Sequence, residues 1–351
     1  MQYLNQQNYS PYQIYNIDPA QLKKNNDKNL IRKKSSGLGF YILTYFLAMS
    51  FIITGIIIVA EVLLLICGGF NDVDQITDDI INGPFYHYMT TLASVLSAVV
   101  PGLIYLKLSK NHISDCLTVK SVKPTMLIAL IFMGMGVAMV ANEAADIVTK
   151  NFSMLGFDYN LEMNSSSSSV YNNFLYVIST AVTPAFAEEF AFRGILMGTL
   201  RKYGDSFAII TSAIMFGAMH GNIIQIPFAF ILGLLFGFID CKANSIIPSI
   251  IIHFVNNFYS VIMDIFNTQC ILTTRNFYIL YYSIFVAMLI LGVLAFLYIM
   301  KKDKSYLSIS DTSSIVSIPL KDKIVSFFTS SGVIMVLVIL GLETLITLVA
   351  I

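Results

Sequence analysis

Charge is scarce in this sequence. Asp, Glu, Lys and Arg make up 12% of the 351 residues, against about 25% in a soluble globular domain. Hydrophobic residues reach 56% and the mean hydropathy is +0.73. That deficit excludes an ordinary soluble domain and reads as an integral membrane protein. The 21 basic and 21 acidic residues cancel, so no electrostatic partner such as nucleic acid is implied. Cysteine is sparse too: Cys67, Cys116, Cys241 and Cys270 show no CxxC or other metal spacing and read as unpaired packing residues. No apolar core lies near the start as a cleavable signal would require. No long internal repeat supports a repeat-built transporter, and no nucleotide-binding motif is present. Tryptophan is absent. With a composition rich in Asn, Lys and Ile, that absence fits a bacterial origin and an AT-rich genome, hence a bacterial plasma membrane.

What is present is a series of apolar runs separated by charge. Residues 1–37 form a polar tail with Lys23, Lys24, Lys28, Arg32, Lys33 and Lys34, expected to stay cytoplasmic and mobile. Spans are expected over about 38–67 and 86–106, and from Pro124 to a wet end at Asn142, Glu143 and Asp146. The loop with Asp72, Asp74, Asp78 and Asp79 should lie outside, as should 150–169 with its serine run Ser165 to Ser169. A long fourth span starts near Tyr171 and runs towards Arg201 and Lys202. Spans follow at about 206–222, 225–240, 246–262 and 277–300, then a cytoplasmic stretch near 301–326 and a last span at 331–351. The expected fold is an all-α polytopic membrane helix bundle of eight or nine transmembrane helices with a buried polar site. Nine spans with an inner N-terminus put every Lys/Arg cluster inside. The chain divides into the tail 1–37, N-terminal helices 38–150, a core 151–262 and C-terminal helices 263–351.

Within that core, polar groups intrude where the bilayer makes them expensive, by roughly 2.5 kcal/mol or more per charge. Glu188 and Glu189 are adjacent, so on a helix they point about 100° apart and serve different purposes. Glu189 and Arg193 are four apart, in the order that favours an ion pair, which leaves Glu188 the freer carboxylate. Pro184 removes a backbone hydrogen bond one turn before Glu188. His220 ends the fifth run, and His253 shares a face with Asn257 in the seventh, whereas Asn256 points elsewhere. With a turn at Gly204, Glu188 and His220 both lie about 24 Å from it and share a depth. His253 matches that depth only if its helix tilts or the preceding turn is sunk. Gly217 and Gly221 offer a small-residue face for a neighbouring helix. His87 and His112 fall at span ends or in loops. Glu343, in the last span, has no assigned role and is not expected to be catalytic.

A carboxylate, two imidazoles and an amide suit hydrolysis by activated water. Glu188 polarises the water and passes its proton to the leaving amine. His220 and His253 hold the water, or hold a metal ion such as Zn2+ that lowers its pKa. Asn257 donates to the oxyanion. The spacing is not HExxH, and the residues leave a metal-assisted and a metal-free mechanism both open. Buried carboxylates and histidines also suit a non-enzymatic reading, an immunity-type binding protein or a proton-coupled transporter.

The ordered set Glu188-Glu189-x-x-x-Arg193, Phe216-x-x-x-His220 and His253-x-x-x-Asn257 resembles the CPBP family. That family groups type II CAAX prenyl endopeptidases with Abi-type and bacteriocin-processing or bacteriocin-immunity membrane proteins. The resemblance covers about Tyr171 to Phe258. It implies an all-helical intramembrane endopeptidase with Glu188, His220, His253 and Asn257 as catalytic residues, and supporting roles for Glu189, Arg193 and Phe216. It also implies a metalloprotease-like site, with a metal-free glutamate mechanism as the alternative. The partners implied are a peptide or protein substrate and the lipid bilayer. The bacterial composition favours a leader-bearing or signalling peptide over a prenylated one.

Overall fold

The computed structural model describes residues 18–68, 83–154, 169–309 and 314–349. These residues are all-α apart from one isolated antiparallel bridge, Val119 to Ser245. Residues 1–17, the loop with Asp72 to Asp79, and Ser165 to Ser168 lie outside the described residues. The order is α1 (Pro19–Gly68), α2 (Pro84–Leu108), a single turn at Ile113–Cys116, α3 (Pro124–Met154) and a composite helix α4 (170–203). Then follow α5 (Asp205–Ala218), α6 (Gln225–Ala243), α7 (Ile247–Thr268), α8 (Thr274–Lys302), α9 (Leu320–Phe328) and α10 (Ser331–Val349).

Local chemistry sets these boundaries. Proline opens α1, α2 and α3, where its missing N–H costs nothing. Ser169 caps α4 by accepting from Asn172 N at 3.4 Å, and Thr273 caps α8 by accepting from Asn276 N at 3.4 Å. Asn244 ends α6 in the left-handed conformation, φ 48°. Gly204, at φ 124°, makes the turn between α4 and α5.

Six described helices are long and apolar enough to cross a membrane: α1, α2, α3, α6, α7 and α8. A seventh is counted if α9 and α10, bent by 67°, form one span. The nine expected segments are all helical, but two do not reach that standard. Residues 170–203 alternate between α and π geometry, and α5 has only 14 residues.

Two boundaries differ from expectation. The described part of the expected mobile tail is helical: α1 is continuous from Pro19, and Ile31 and Leu38, fully buried, anchor its first part. The third helix does not stop in the expected wet stretch of Asn142, Glu143 and Asp146, nor does the following loop begin at 150. Helix α3 continues to Met154, since Asn142 bonds Asn256 at 3.0 Å and Glu143 and Asp146 both accept from the Tyr281 hydroxyl.

Two apolar cores meet at the centre of the bundle. One joins α1, α4, α5, α9 and α10 through Tyr41, Phe192, Phe207, Phe216 and Phe327. The other joins α3, α6, α7 and α8 through Leu130, Phe236, Ile252 and Ala295. Outside the bundle proper, Lys323 of α9 donates from Nζ to Tyr203 O (2.6 Å) and to Ser314 Oγ (3.1 Å). This pins the turn that joins the helix carrying Glu188 to the helix that His220 follows.

Candidate active site

The glutamates sit on Thr183–Glu189, one short α segment between two π-helical segments, Ile178–Val182 and Phe190–Met197. Such widened turns are rare and recur at functional sites. Pro184 accounts for part of the first. It cannot donate to the carbonyl four residues back, Thr180 O, and that oxygen instead accepts from Asn257 Nδ2 at 3.2 Å. In the second, Phe192 O accepts from Ser212 Oγ of α5 at 3.0 Å. Each break in the backbone ladder thus receives a side-chain donor, as a buried carbonyl requires.

Glu189 is fully buried and Arg193 is 3% exposed. Glu189 Oε2 lies 3.2 Å from Arg193 Nε, an ion pair without hydrogen-bond alignment. The guanidinium carbon lies 4.3 Å from the centre of the Phe216 ring and 5.1 Å from that of Phe236. Since Phe216 belongs to one core and Phe236 to the other, Arg193 occupies their seam. Cation–π attraction, about 2 kcal/mol when desolvated, offsets part of the cost of burying that charge.

Glu189 also orients a histidine. Its Oε1 accepts from His253 Nδ1 at 2.9 Å, so the neutral ring carries its proton on Nδ1 and keeps a lone pair on Nε2. That Nε2 is 3.9 Å from Oε2 of Glu188, whose side chain is 24% exposed against 0% for Glu189. His253 packs on Phe236 (ring centres 5.5 Å apart) and on Phe216 (6.1 Å). His220 lies just past the end of α5, not within a helix. Its Nδ1 donates to Phe216 O at 2.9 Å and its ring meets Phe216 edge-on at 5.0 Å. In the neutral form both rings carry the lone pair on Nε2, and Phe216 touches both rings and Arg193.

The depth of His253 has a structural explanation. His253 is nine residues from Asn244, whereas Glu188 is sixteen from Gly204, so the α6–α7 turn sits deeper by several ångströms. Arg201 spans the difference: its Nη1 donates to Asn244 Oδ1 at 3.1 Å while Nε pairs with Asp205 at 2.9 Å. Ile246 N donates to Thr118 O at 3.0 Å, which holds the same turn from the other side.

Asn256 departs from expectation. Its Nδ2 donates to Asn257 Oδ1 at 3.3 Å, and its Oδ1 accepts from Asn142 Nδ2 at 3.0 Å. The amides of Asn142, Asn256 and Asn257 run head to tail and finish on Thr180 O, so the orientation of the Asn257 amide is set from α3. Adjacent residues on a helix point apart, but amides long enough to reach sideways still meet.

Other residues near the site escaped the sequence reading. Asp240 is 3% exposed and accepts from Ser249 Oγ (2.6 Å) and Ser249 N (3.3 Å) in the first turn of α7, one turn before His253. A carboxylate is favourable at that helix terminus. Tyr45 of α1 packs on Phe192, one turn beyond Glu188. His87, the fourth residue of α2 and so at a span end as expected, is buried, with Nδ1 2.9 Å from Ser179 Oγ. Of these only Asp240 carried a signal, a lone carboxylate ending an apolar run. Of the two small residues expected to admit a helix, Gly217 does so: a Cβ there would meet Ile226 O at 2.9 Å. Gly221, at φ 59°, instead lies against the Glu343 carboxylate.

For a metal, the available donors are the two Nε2 lone pairs. Among the described residues no three of His, Cys, Asp or Glu converge as a preformed metal site.

No curated protein and no solved structure gives a significant match to the chain. One family model does match, and it covers the stretch that carries Glu188, His220, His253 and Asn257. Over residues 170–259, 90 of the 351, the chain matches the model of the family described as type II CAAX prenyl endopeptidase Rce1-like.

Proposed function

We propose that the protein is an intramembrane endopeptidase that hydrolyses a peptide bond of a membrane-associated peptide or protein. The observation that carries the reading is the pairing of Glu188 with His253. The Nε2 lone pair of His253, left free because Nδ1 is committed to Glu189, faces Glu188 Oε2 across 3.9 Å. That gap suits one water bonded to both groups. The water oxygen attacks the scissile carbonyl carbon, and its proton passes to Glu188. Glu188 then delivers that proton to the leaving amine as the C–N bond breaks. Asn257 has one Nδ2 hydrogen on Thr180 O and the second free for the oxyanion. His220, whose ring meets Phe216 edge-on at 5.0 Å, is the second imidazole that holds the water in this reading. Glu189, Arg193 and Phe216 touch no reacting atom; they fix the His253 ring.

The test compares new peptide N-termini in membranes of cells making wild type or Glu188→Gln, by mass spectrometry. Wild type should yield cleavage products that the variant lacks at equal abundance in the membrane. Identical product sets would remove the endopeptidase reading. Proton flux dependent on Glu188 in vesicles, without cleavage, would replace it with transport.

A further inference from the structure

The lysines of α1 fall into two groups. Lys24 and Lys28 each lie 3.0 Å from Asp322 of α9. Lys33 and Lys34, further along the same helix, have no carboxylate at ion-pair distance among the described residues, and neither has Lys110 at the end of α2. These three ammonium groups border one cavity of about 610 Å³ between α1 and α2. Its wall includes Phe40, Tyr105 and Leu108, and no acidic residue lines it. The volume falls within the range of roughly 300–1,000 Å³ typical of ligand sites.

The backbone maintains this arrangement. A Cβ at Gly37 would lie 3.3 Å from the Tyr105 ring, so glycine is what lets that ring approach α1 and form the cavity floor. Lys110 adopts a left-handed conformation, φ 53°. Asn111 N donates to Leu106 O (3.1 Å) and Lys110 N to Lys107 O (3.3 Å), the helix-ending pattern in which glycine is usual. A lysine therefore stands where glycine would carry less strain. Lys34 Nζ donates to Asn111 Oδ1 at 3.4 Å, which ties the two helices together beside the cavity. Leu108 is 79% exposed and Phe40 44%, so apolar surface adjoins the charges.

The geometry points to a binding site for an anionic phospholipid. Lys33, Lys34 and Lys110 take the phosphate-bearing headgroup, and an acyl chain lies along Phe40 and Leu108. No acidic residue in the lining neutralises these cations, so an anion bound there is their counter-charge. The site lies where α1 and α2 both pass from apolar to basic residues, the level of lipid headgroups, and basic pockets between membrane helices are suited to such headgroups. A small soluble anion would use the lysines and leave the exposed apolar wall without a function.

The full-length protein in neutral detergent is titrated with dioleoylphosphatidylglycerol, with dioleoylphosphatidylcholine and with inorganic phosphate, and bound lipid is counted by native mass spectrometry. Wild type should hold the glycerol lipid at least about tenfold more tightly than the choline lipid. Lys33→Gln, Lys34→Gln and Lys110→Gln should each cost roughly fivefold, and the triple variant on the order of 100-fold. The triple variant Lys301→Gln, Lys302→Gln, Lys304→Gln makes the same charge change elsewhere and should bind as wild type. The single variants keep the test open should the first triple variant unfold. Equal affinity for the two lipids, equal loss in both triple variants, or phosphate competing at the affinity of the lipid would each overturn the assignment.

Discussion

Helices α4 and α8 are both long, both apolar and both packed in the bundle, yet they are built on opposite principles. In α4 every residue from Ala191 to Met197 is buried, including Arg193. In α8, 29 residues long, only Gly292, Ala295 and Ile299 are buried. That stretch of the first is enclosed by protein, and the helix carries two adjacent carboxylates, a buried guanidinium and two π segments. The second touches α3 along one edge, where Gly136 and Gly292 face each other, and the rest is aliphatic or aromatic surface. Lipid tolerates neither unsatisfied backbone nor unpaired charge. Irregular backbone and ionisable side chains therefore collect in the helix that other helices surround.

The sharpest break in this contrast is chemical. Glu188→Gln should lower the turnover of an identified substrate by about 100- to 10,000-fold, the usual range for loss of a general base, with thermal stability in detergent kept. Retained turnover would move the base elsewhere. Next comes the buried pair. Arg193→Met leaves Glu189 without its cation and should destabilise by about 3–5 kcal/mol in a thermal or chemical unfolding series. The double variant Glu189→Leu, Arg193→Met should recover much of that loss, because no charge remains buried. Equal losses in the two variants would mean that packing, not charge, is at stake.

A smaller effect is expected from the asparagine chain. Asn257→Ala should cost about 100-fold in turnover as a lost oxyanion donor. Asn142→Ala, remote from the reacting atoms, should cost roughly tenfold in kcat with KM unchanged, since one misoriented donor is worth about a neutral hydrogen bond. A purely structural Asn142 would instead lower the melting temperature and leave kcat intact. The smallest effect is reserved for the lipid-facing helix: Leu294→Ala in α8, 57% exposed, should change stability by no more than about 0.5 kcal/mol. A loss of several kcal/mol would show that this face has a protein partner.

Much of the site could be read from residue order because of its cost. Glu188, Glu189, Arg193, His220, His253 and Asn257 stand out as polar groups in apolar runs, and a four-residue spacing pairs Glu189 with Arg193. Phe236 offered no such signal, being one aromatic among apolar neighbours, although it packs on both Arg193 and His253. Asn142 read as a helix end because its partner, Asn256, is 114 residues away. The π segments had no signal beyond Pro184, since i→i+5 bonding depends on what fills the widened turn.

The sequence by itself determined that this is an all-helical membrane chain, which stretch holds the charges, and which carboxylate is paired. Those conclusions follow from composition and from the 3.6-residue repeat, which act locally along the chain. The tertiary structure decided which groups share a site: that His253 rests on Glu189 and faces Glu188, that Asn257 takes the carbonyl Pro184 cannot serve, and that lysines from α1 and α2 border one cavity. Each of these depends on the depth and tilt at which separate helices pack. Side-chain shape at many remote contacts fixes that depth, and no local pattern records it.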